Sequence, residues 1–258
     1  MVESRTEPFS GVGVALVTVF DDSGDLDARS TAGLAADLVG RGMRAVLACG
    51  TTGEAAKLTD AERVAIIAAV RDAIPADVPV LAGTGAQSAQ RAADLTTAAC
   101  GAGADAILAW PPPGSAELGP YFAAIAQAAG HRPVLAYHIP WISSPGVPVE
   151  ELAGLPVAGV KDSSGSADRL LDEIAHYPGA TYVGSSALLA LAGPMGGAGA
   201  ILALGNVEPE RCCRAFGGDA AAQRELAGRH LEVRAGGPPA LKRILAAERG
   251  VCLVSRVA

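Results

Sequence analysis

Aromatic side chains are scarce in this 258-residue chain, at 4% of residues, and so are charged ones, at 18%. Lysine is scarcer still: there are three, Lys57, Lys161 and Lys242, against 17 arginines. So little charge in a chain that is 50% hydrophobic excludes the composition of a disordered polymer. The cationic excess of a general nucleic-acid binder is missing as well. Twenty basic side chains face 27 acidic ones, for a net charge of −7. No CxxC pair occurs among Cys49, Cys100, Cys212, Cys213 and Cys252, which are odd in number and scattered. They read as free thiols of a reducing cytoplasm rather than as a disulfide framework. Residues 1–10 lack the apolar run of a secretory signal. A charge-free stretch over residues 174–207 is long enough to span a bilayer, but Pro178, Pro194 and six glycines between Gly184 and Gly205 cut it into short pieces. It is expected to fold as a buried strand, helix and strand, with no membrane partner.

What the chain has in quantity is small apolar residues, arranged in a rhythm. A short β-rich run, a Gly/Thr/Ser/Pro turn and a longer Ala/Leu-rich amphipathic stretch recur with no linker between them. The pattern predicts strands over residues 12–20, 44–49, 78–83, 105–110, 133–138, 157–162, 180–184 and 199–204. Helices are expected between them, among others over 28–41, 60–73, 88–101, 117–129 and 167–177. Thr59 ahead of Asp60-Ala61-Glu62 reads as an N-cap with glutamate at the third helical position. Strands alternating with helices imply a parallel sheet, and eight such units imply a closed α/β (β/α)8 TIM barrel. Residues 1–207 are expected to form the barrel core through strand eight. Residues 208–258 would add the last barrel helix and a helical appendix, with helices over 220–234 and 239–249, as one structural unit.

In such a barrel the functional groups come from the C-terminal strand ends and the loops after them. Lys161, at the end of the sixth strand, is the first candidate. Only an amine, not a guanidinium, can lose its proton when desolvated and attack a carbonyl to form a Schiff base. The alternative is an unreactive ion pair with Asp162 or Glu54. Tyr137, at the end of the fifth strand, offers a phenol for proton transfer, or else a packing ring at the barrel top. The Gly50-Thr51-Thr52-Gly53 turn offers hydroxyls and backbone N–H groups to a small anion, carboxylate or phosphate. No metal is expected, because His131, His138, His176 and His230 lack the spacing of a zinc helix. Ser185 and Ser186 lie in no nucleophile elbow. The Gly196-Gly197-Ala198-Gly199 run precedes a strand, so it is no dinucleotide fingerprint.

Gly50-Thr51-Thr52-Gly53-Glu54, Tyr137-His138-Ile139-Pro140 and Gly159-Val160-Lys161-Asp162, in this order and spacing, resemble the dihydrodipicolinate synthase/N-acetylneuraminate lyase family. The likeness extends to Gly83-Thr84-Gly85, to Gly184, and to the segment from Gly196 through Ile201 with Asn206. It implies a pyruvate-dependent, Schiff-base-forming class I aldolase or lyase on a (β/α)8 barrel. By that resemblance Lys161 would condense with pyruvate or another 2-keto acid, and Tyr137 would relay protons. Gly50, Thr51 and Thr52 would hold the carboxylate, with a threonine hydroxyl bonding Tyr137. Gly184 and Ile201 would line the imine. No cofactor is implied; an aldehyde would be the other reactant, and a homo-oligomer, dimer or tetramer, the assembly.

Four positions depart from the synthases that make the lysine precursor. Trp110-Pro111-Pro112-Pro113-Gly114 has no tyrosine where they carry Pro-Tyr-Tyr. Ile142 stands where they have an arginine that binds the second carboxylate, His138 where asparagine is usual, and Val19 where proline is usual. Losing a charge-assisted carboxylate contact disfavours aspartate semialdehyde. The expected reaction is therefore cleavage or formation of a 2-keto-3-deoxy-sugar acid or a 4-hydroxy-2-oxo acid, with Trp141-Ile142 as an apolar wall. The alternatives are 4-hydroxy-tetrahydrodipicolinate synthase itself and, in another class, a non-catalytic barrel that binds a small anion.

Overall fold

The computed structural model describes residues 7–114 and 117–257; residues 1–6, most of the segment judged free of a secretory signal, lie outside it. The chain runs β1 (Gly11–Ala15), α1 (Ala28–Gly40), β2 (Val46–Ala48), α2 (Asp60–Ala73), β3 (Val80–Gly83), α3 (Ala89–Gly101), β4 (Ala106–Ala109) and α4 (Leu118–Ala129). It continues through β5 (Val134–His138), α5 (Val149–Leu152), β6 (Gly159–Asp162), α6 (Ala167–His176), β7 (Ala180–Val183), α7 (Leu189–Ala192) and β8 (Gly199–Leu202). The helices α8 (Pro209–Phe216), α9 (Ala220–Glu225) and α10 (Ala227–Arg249) complete it. Each strand pairs in parallel with the next, and β8 returns to β1 through Gly11↔Gly199, closing the sheet. This is the (β/α)8 barrel with C-terminal helices that the strand–helix rhythm predicts.

Strand alternation sorts the side chains into two cores. Ala15, Leu47, Leu81, Leu108, Leu135, Tyr182 and Ile201 point inward and fill the barrel. Val14, Val46, Val80, Ile107, Val134, Val160 and Val183 point outward against the helices. Phe9 closes one end of the barrel, its ring centroid 4.8 Å from that of Tyr182, whose hydroxyl donates to the Phe9 carbonyl at 2.6 Å. The charge-free stretch folds as β7, α7 and β8, and among the described residues no helix is long and apolar enough to cross a membrane.

At α2 the expected capping box is present. The Thr59 hydroxyl accepts the Glu62 N–H at 3.2 Å, and the Glu62 carboxylate accepts the Thr59 N–H at 2.8 Å. Two elements differ from expectation by more than two residues. The first strand stops at Ala15 rather than continuing to residue 20, because side chains take over its backbone bonds. Asn206 Oδ1 accepts the Val17 N–H at 3.1 Å, and Thr31 Oγ1 accepts that of Val19 at 2.9 Å. The helix expected over 220–234 is split, and its second part runs on past residue 234 to a kink at Gly237 (φ 55°, ψ −147°) before Pro238 and Pro239. Neither proline has an N–H for the preceding turn, and glycine adopts the positive φ at no steric cost.

Candidate active site

The strand register decides where Lys161 points. Val160 faces outward, so Lys161 faces the barrel interior, between Tyr137 of β5 and Tyr182 of β7 at the same level. Its ammonium lies over the Tyr137 ring, 4.3 Å from the centroid, and the side chain is buried. The same alternation turns Asp162 and His138 to the outside, where they pair in register across β5 and β6. An ion pair between Lys161 and Asp162 is thereby excluded. Asp162 instead accepts bonds from the Ser164 N–H at 2.7 Å and the Ser164 hydroxyl at 2.8 Å. Glu54 is engaged elsewhere, by Lys242 at 2.6 Å, which excludes the other alternative.

Lys161, Tyr137, Thr51, Thr52, Gly184 and Ile201 line one cavity of about 480 Å³ at the C-terminal mouth of the barrel. Two expected members do not. Gly50 is buried outside its lining, its carbonyl accepting the Gly53 N–H at 3.1 Å to shape the turn that presents the threonines. Ile142 turns away, its N–H bonded to the Ile139 carbonyl at 3.0 Å, and of the expected Trp141-Ile142 wall only Trp141 lines the cavity. The hydroxyl that reaches Tyr137 also differs: Ser163 Oγ donates to the phenol oxygen at 3.3 Å, in place of a threonine. At Gly184 a Cβ would come 3.0 Å from that of Ser163 and 3.1 Å from the Asp162 carbonyl. Only glycine lets β7 pass this close to the serine loop.

The loop holding Thr51 and Thr52 is bracketed by two non-glycine residues with positive φ, Cys49 at 53° and Glu54 at 56°. Such conformations persist where surrounding bonds impose them. Thr18 Oγ1 donates to the Gly53 carbonyl at 2.7 Å. Glu54, buried, accepts the Lys242 ammonium, the Ser255 hydroxyl at 3.0 Å, and the N–H groups of Arg256 at 2.6 Å and Val257 at 3.0 Å. The last residues of the chain thus hold the threonine loop, a contact between distant segments that no local spacing announces. A wider groove of about 790 Å³, near α1 and the end of α10, contains no lysine, tyrosine or strand-end group of this set.

Behind the site, on the outer face of β6, lies a second set of ionisable groups. His138 Nδ1 accepts the Val147 N–H at 3.1 Å. Burial, with the nearby Arg169 charge, pushes His138 down to about 4, so its imidazole is neutral at physiological pH. Glu173 is fully buried, 2.9 Å from Arg169. Burial and then the negative charge of Asp162 push it up to about 8, Arg169 offsetting part of the effect. A carboxyl that folding holds protonated costs stability as pH rises toward its folded pKa, because the unfolded chain has already released the proton. Below the ordinary 6.5 of histidine, the depressed His138 changes stability in the opposite sense. Glu173→Gln is therefore expected to gain stability relative to the parent as pH rises above about 4.5, with up to about 2 kcal/mol of that gain falling between pH 6.5 and pH 8, read from paired thermal melts. Parallel melting curves across that range would show that Glu173 is ionised. Among the described residues no group of three His, Cys, Asp or Glu side chains is placed to hold a metal ion.

Sequence reasoning did not place Ser163, His230 or Arg234 in the cavity that all three line. Ser163 follows a strand end and was within reach of the barrel rule; His230 and Arg234 arrive from α10, far along the chain.

Residues 8–233 match the model of the Dihydrodipicolinate synthetase family. A 4-hydroxy-tetrahydrodipicolinate synthase of Pseudomonas aeruginosa is 36% identical over 231 residues, covering 84% of this chain and 79% of that protein. A synthase of the same name from Synechococcus is 44% identical over 137 residues, covering 52% of this chain; the match spans only 45% of that protein. Among solved structures, a prophage protein of E. coli K12 from the dihydrodipicolinic acid synthase family, in complex with pyruvate, superimposes with a TM-score of 0.88 at 26% identity. The match covers 97% of this chain and 92% of that one. With the family model spanning β1 through about half of the appendix and the lysine, tyrosine and threonine turn meeting in one cavity, the chain belongs to the dihydrodipicolinate synthetase family.

Proposed function

We propose that the protein is a Schiff-base-forming lyase that makes or breaks the C3–C4 bond of a 4-hydroxy-2-keto acid, with pyruvate as the keto fragment. The observation that carries this reading is the inward-facing amine of Lys161 against Tyr137 in a cavity shared with the Thr51-Thr52 turn. The free amine adds to C2 of the keto acid, and the Tyr137 phenol gives its proton to the departing carbinolamine hydroxyl, which leaves as water. The phenolate that remains, bonded by Ser163, takes the proton of the C4 hydroxyl. The C3–C4 electron pair moves into the imine, giving an enamine and a free aldehyde. Protonation at C3 and hydrolysis then release pyruvate and restore the amine. The backbone N–H groups of the threonine turn hold the carboxylate, and Gly184 and Ile201 wall the imine.

Two substrate readings follow. The 2-keto-3-deoxy-sugar acids and 4-hydroxy-2-oxo acids suit the absence of a cation at Ile142. Synthesis of 4-hydroxy-tetrahydrodipicolinate is supported by the name of the Pseudomonas aeruginosa relative. The five unpaired thiols suit a cytoplasmic enzyme, and the family resemblance supports a homo-oligomer, dimer or tetramer. Incubation with pyruvate and borohydride, followed by peptide mass mapping, tests the reading. A reduced adduct on the Lys161 peptide is expected. Its absence would leave a barrel that binds a small anion without turning it over.

A further inference from the structure

We propose that Arg234 and His230, on the mouth-facing side of α10, form a subsite for a second carboxylate, so that the aldehyde reactant carries a carboxylate of its own. The inference deepens the lyase reading and rests on it. His230, Val233, Arg234, Gly237, Pro238 and Leu241 all line the cavity, and their spacing of three and four marks one face of a helix. The kink at Gly237 bends that face, and Pro238 begins the second arm. The appendix thus roofs the site rather than merely following the barrel.

Charge then selects the ligand. Among the described residues that line the cavity none is acidic, and its lysine and arginine are Lys161 and Arg234. Once Lys161 is committed to the imine and the threonine turn to the first carboxylate, the Arg234 guanidinium is left without a counter-charge. It makes no ion pair or hydrogen bond with any described residue. Arg229, on the same helix, lies within 2.8 Å of Glu248, 3.1 Å of Glu232 and 3.8 Å of Glu208. Arg234 is itself exposed, and an exposed arginine without a partner is ordinary; one on the rim of an anion-handling cavity whose described lining holds no carboxylate can serve as a recognition group. His230 is held beside it by the Ser186 hydroxyl, 2.8 Å from Nδ1. Burial, and then the Arg234 charge, lower its affinity for a proton, so a neutral ring stands next to the guanidinium. With Ile142 facing away, the second anion is met from the α10 side of the mouth rather than from the β5 loop.

The test compares condensation of pyruvate with succinic semialdehyde and with butanal, in the parent, Arg234→Gln and Arg234→Lys. The readout is the ratio of kcat/KM for the charged aldehyde to that for the uncharged one. Arg234→Gln is expected to lower this ratio about tenfold or more, mainly through KM for the aldehyde, and Arg234→Lys to restore part of it. A ratio that stays within twofold in Arg234→Gln, or a parent enzyme that favours butanal, would overturn the subsite. Borohydride trapping of pyruvate in each variant separates the two levels of the argument. Trapping that succeeds while the ratio stays constant removes only the subsite; trapping that fails in the parent removes the lyase reading beneath it.

Discussion

Lys161→Arg is expected to abolish turnover, by on the order of 10⁴-fold or more, while the barrel remains folded. A guanidinium keeps the positive charge and much of the length, so it preserves the cation over the Tyr137 ring. It cannot become a neutral amine at C2 of a keto acid, so no carbinolamine forms. Pyruvate release from a panel of 4-hydroxy-2-keto acids should fall to background, and borohydride should leave no adduct. A melting temperature within a few degrees of the parent would separate lost chemistry from lost structure. The scarcity of lysine makes the result sharp. Lys57 is exposed on a turn outside the cavity, and Lys242 is buried against Glu54 and the Val254 carbonyl, so neither can stand in. A variant that kept a few per cent of turnover would show that the amine is not the covalent group.

How the sequence announces such a site depends on the distance over which its parts interact. The barrel was legible because each strand and helix carries its own period and its own turn. Lys161 and Tyr137 were legible because strand ends in a barrel converge on one mouth whatever lies between them. Gly50, at a strand end, and Ile142, at a position marked by the family resemblance, were expected in the cavity and do not line it. Residue type at a strand end says that a group is near the mouth, while loop geometry decides which way it faces. Trp141 and Ile142 are neighbours, yet only the first reaches the cavity. The parts that stayed hidden come from far along the chain. Arg234 reads as one more charge on a solvated helix until the Gly237 kink and the docking of α10 over the mouth are known. Lys242 reads the same way until Glu54 is seen to be buried. Long-range burial of a charge leaves no periodic signal.

Lys242→Met is expected to destabilise the protein by about 3–5 kcal/mol, because it strands the Glu54 carboxylate in a buried site. Lys242 and Glu54 are both fully inaccessible, 2.6 Å apart, with the ammonium 4.3 Å above the Phe20 ring. Burial pulls Lys242 toward its neutral form, and the Glu54 carboxylate is the first group that opposes it. Removing the lysine leaves Glu54 with the Ser255 hydroxyl and the two backbone N–H groups of Arg256 and Val257, none of which carries a full charge. At this chain length the loss corresponds to a fall in melting temperature of roughly 10 °C. The double variant Glu54→Gln/Lys242→Met, which removes both charges, should recover part of that loss, as the double-mutant argument requires of a coupled pair. Function should suffer as well, even far below the melting temperature. Glu54 closes the loop that carries Thr51 and Thr52 and holds it in a left-handed turn, so a loosened Glu54 lets that turn relax. KM for the 2-keto acid should then rise more than kcat falls, since the threonine turn binds the carboxylate and Lys161 stands on a separate strand. A Lys242→Met enzyme with parental stability would mean that the buried pair contributes nothing net to the fold, and an unchanged KM would mean that the threonine turn keeps its shape without it.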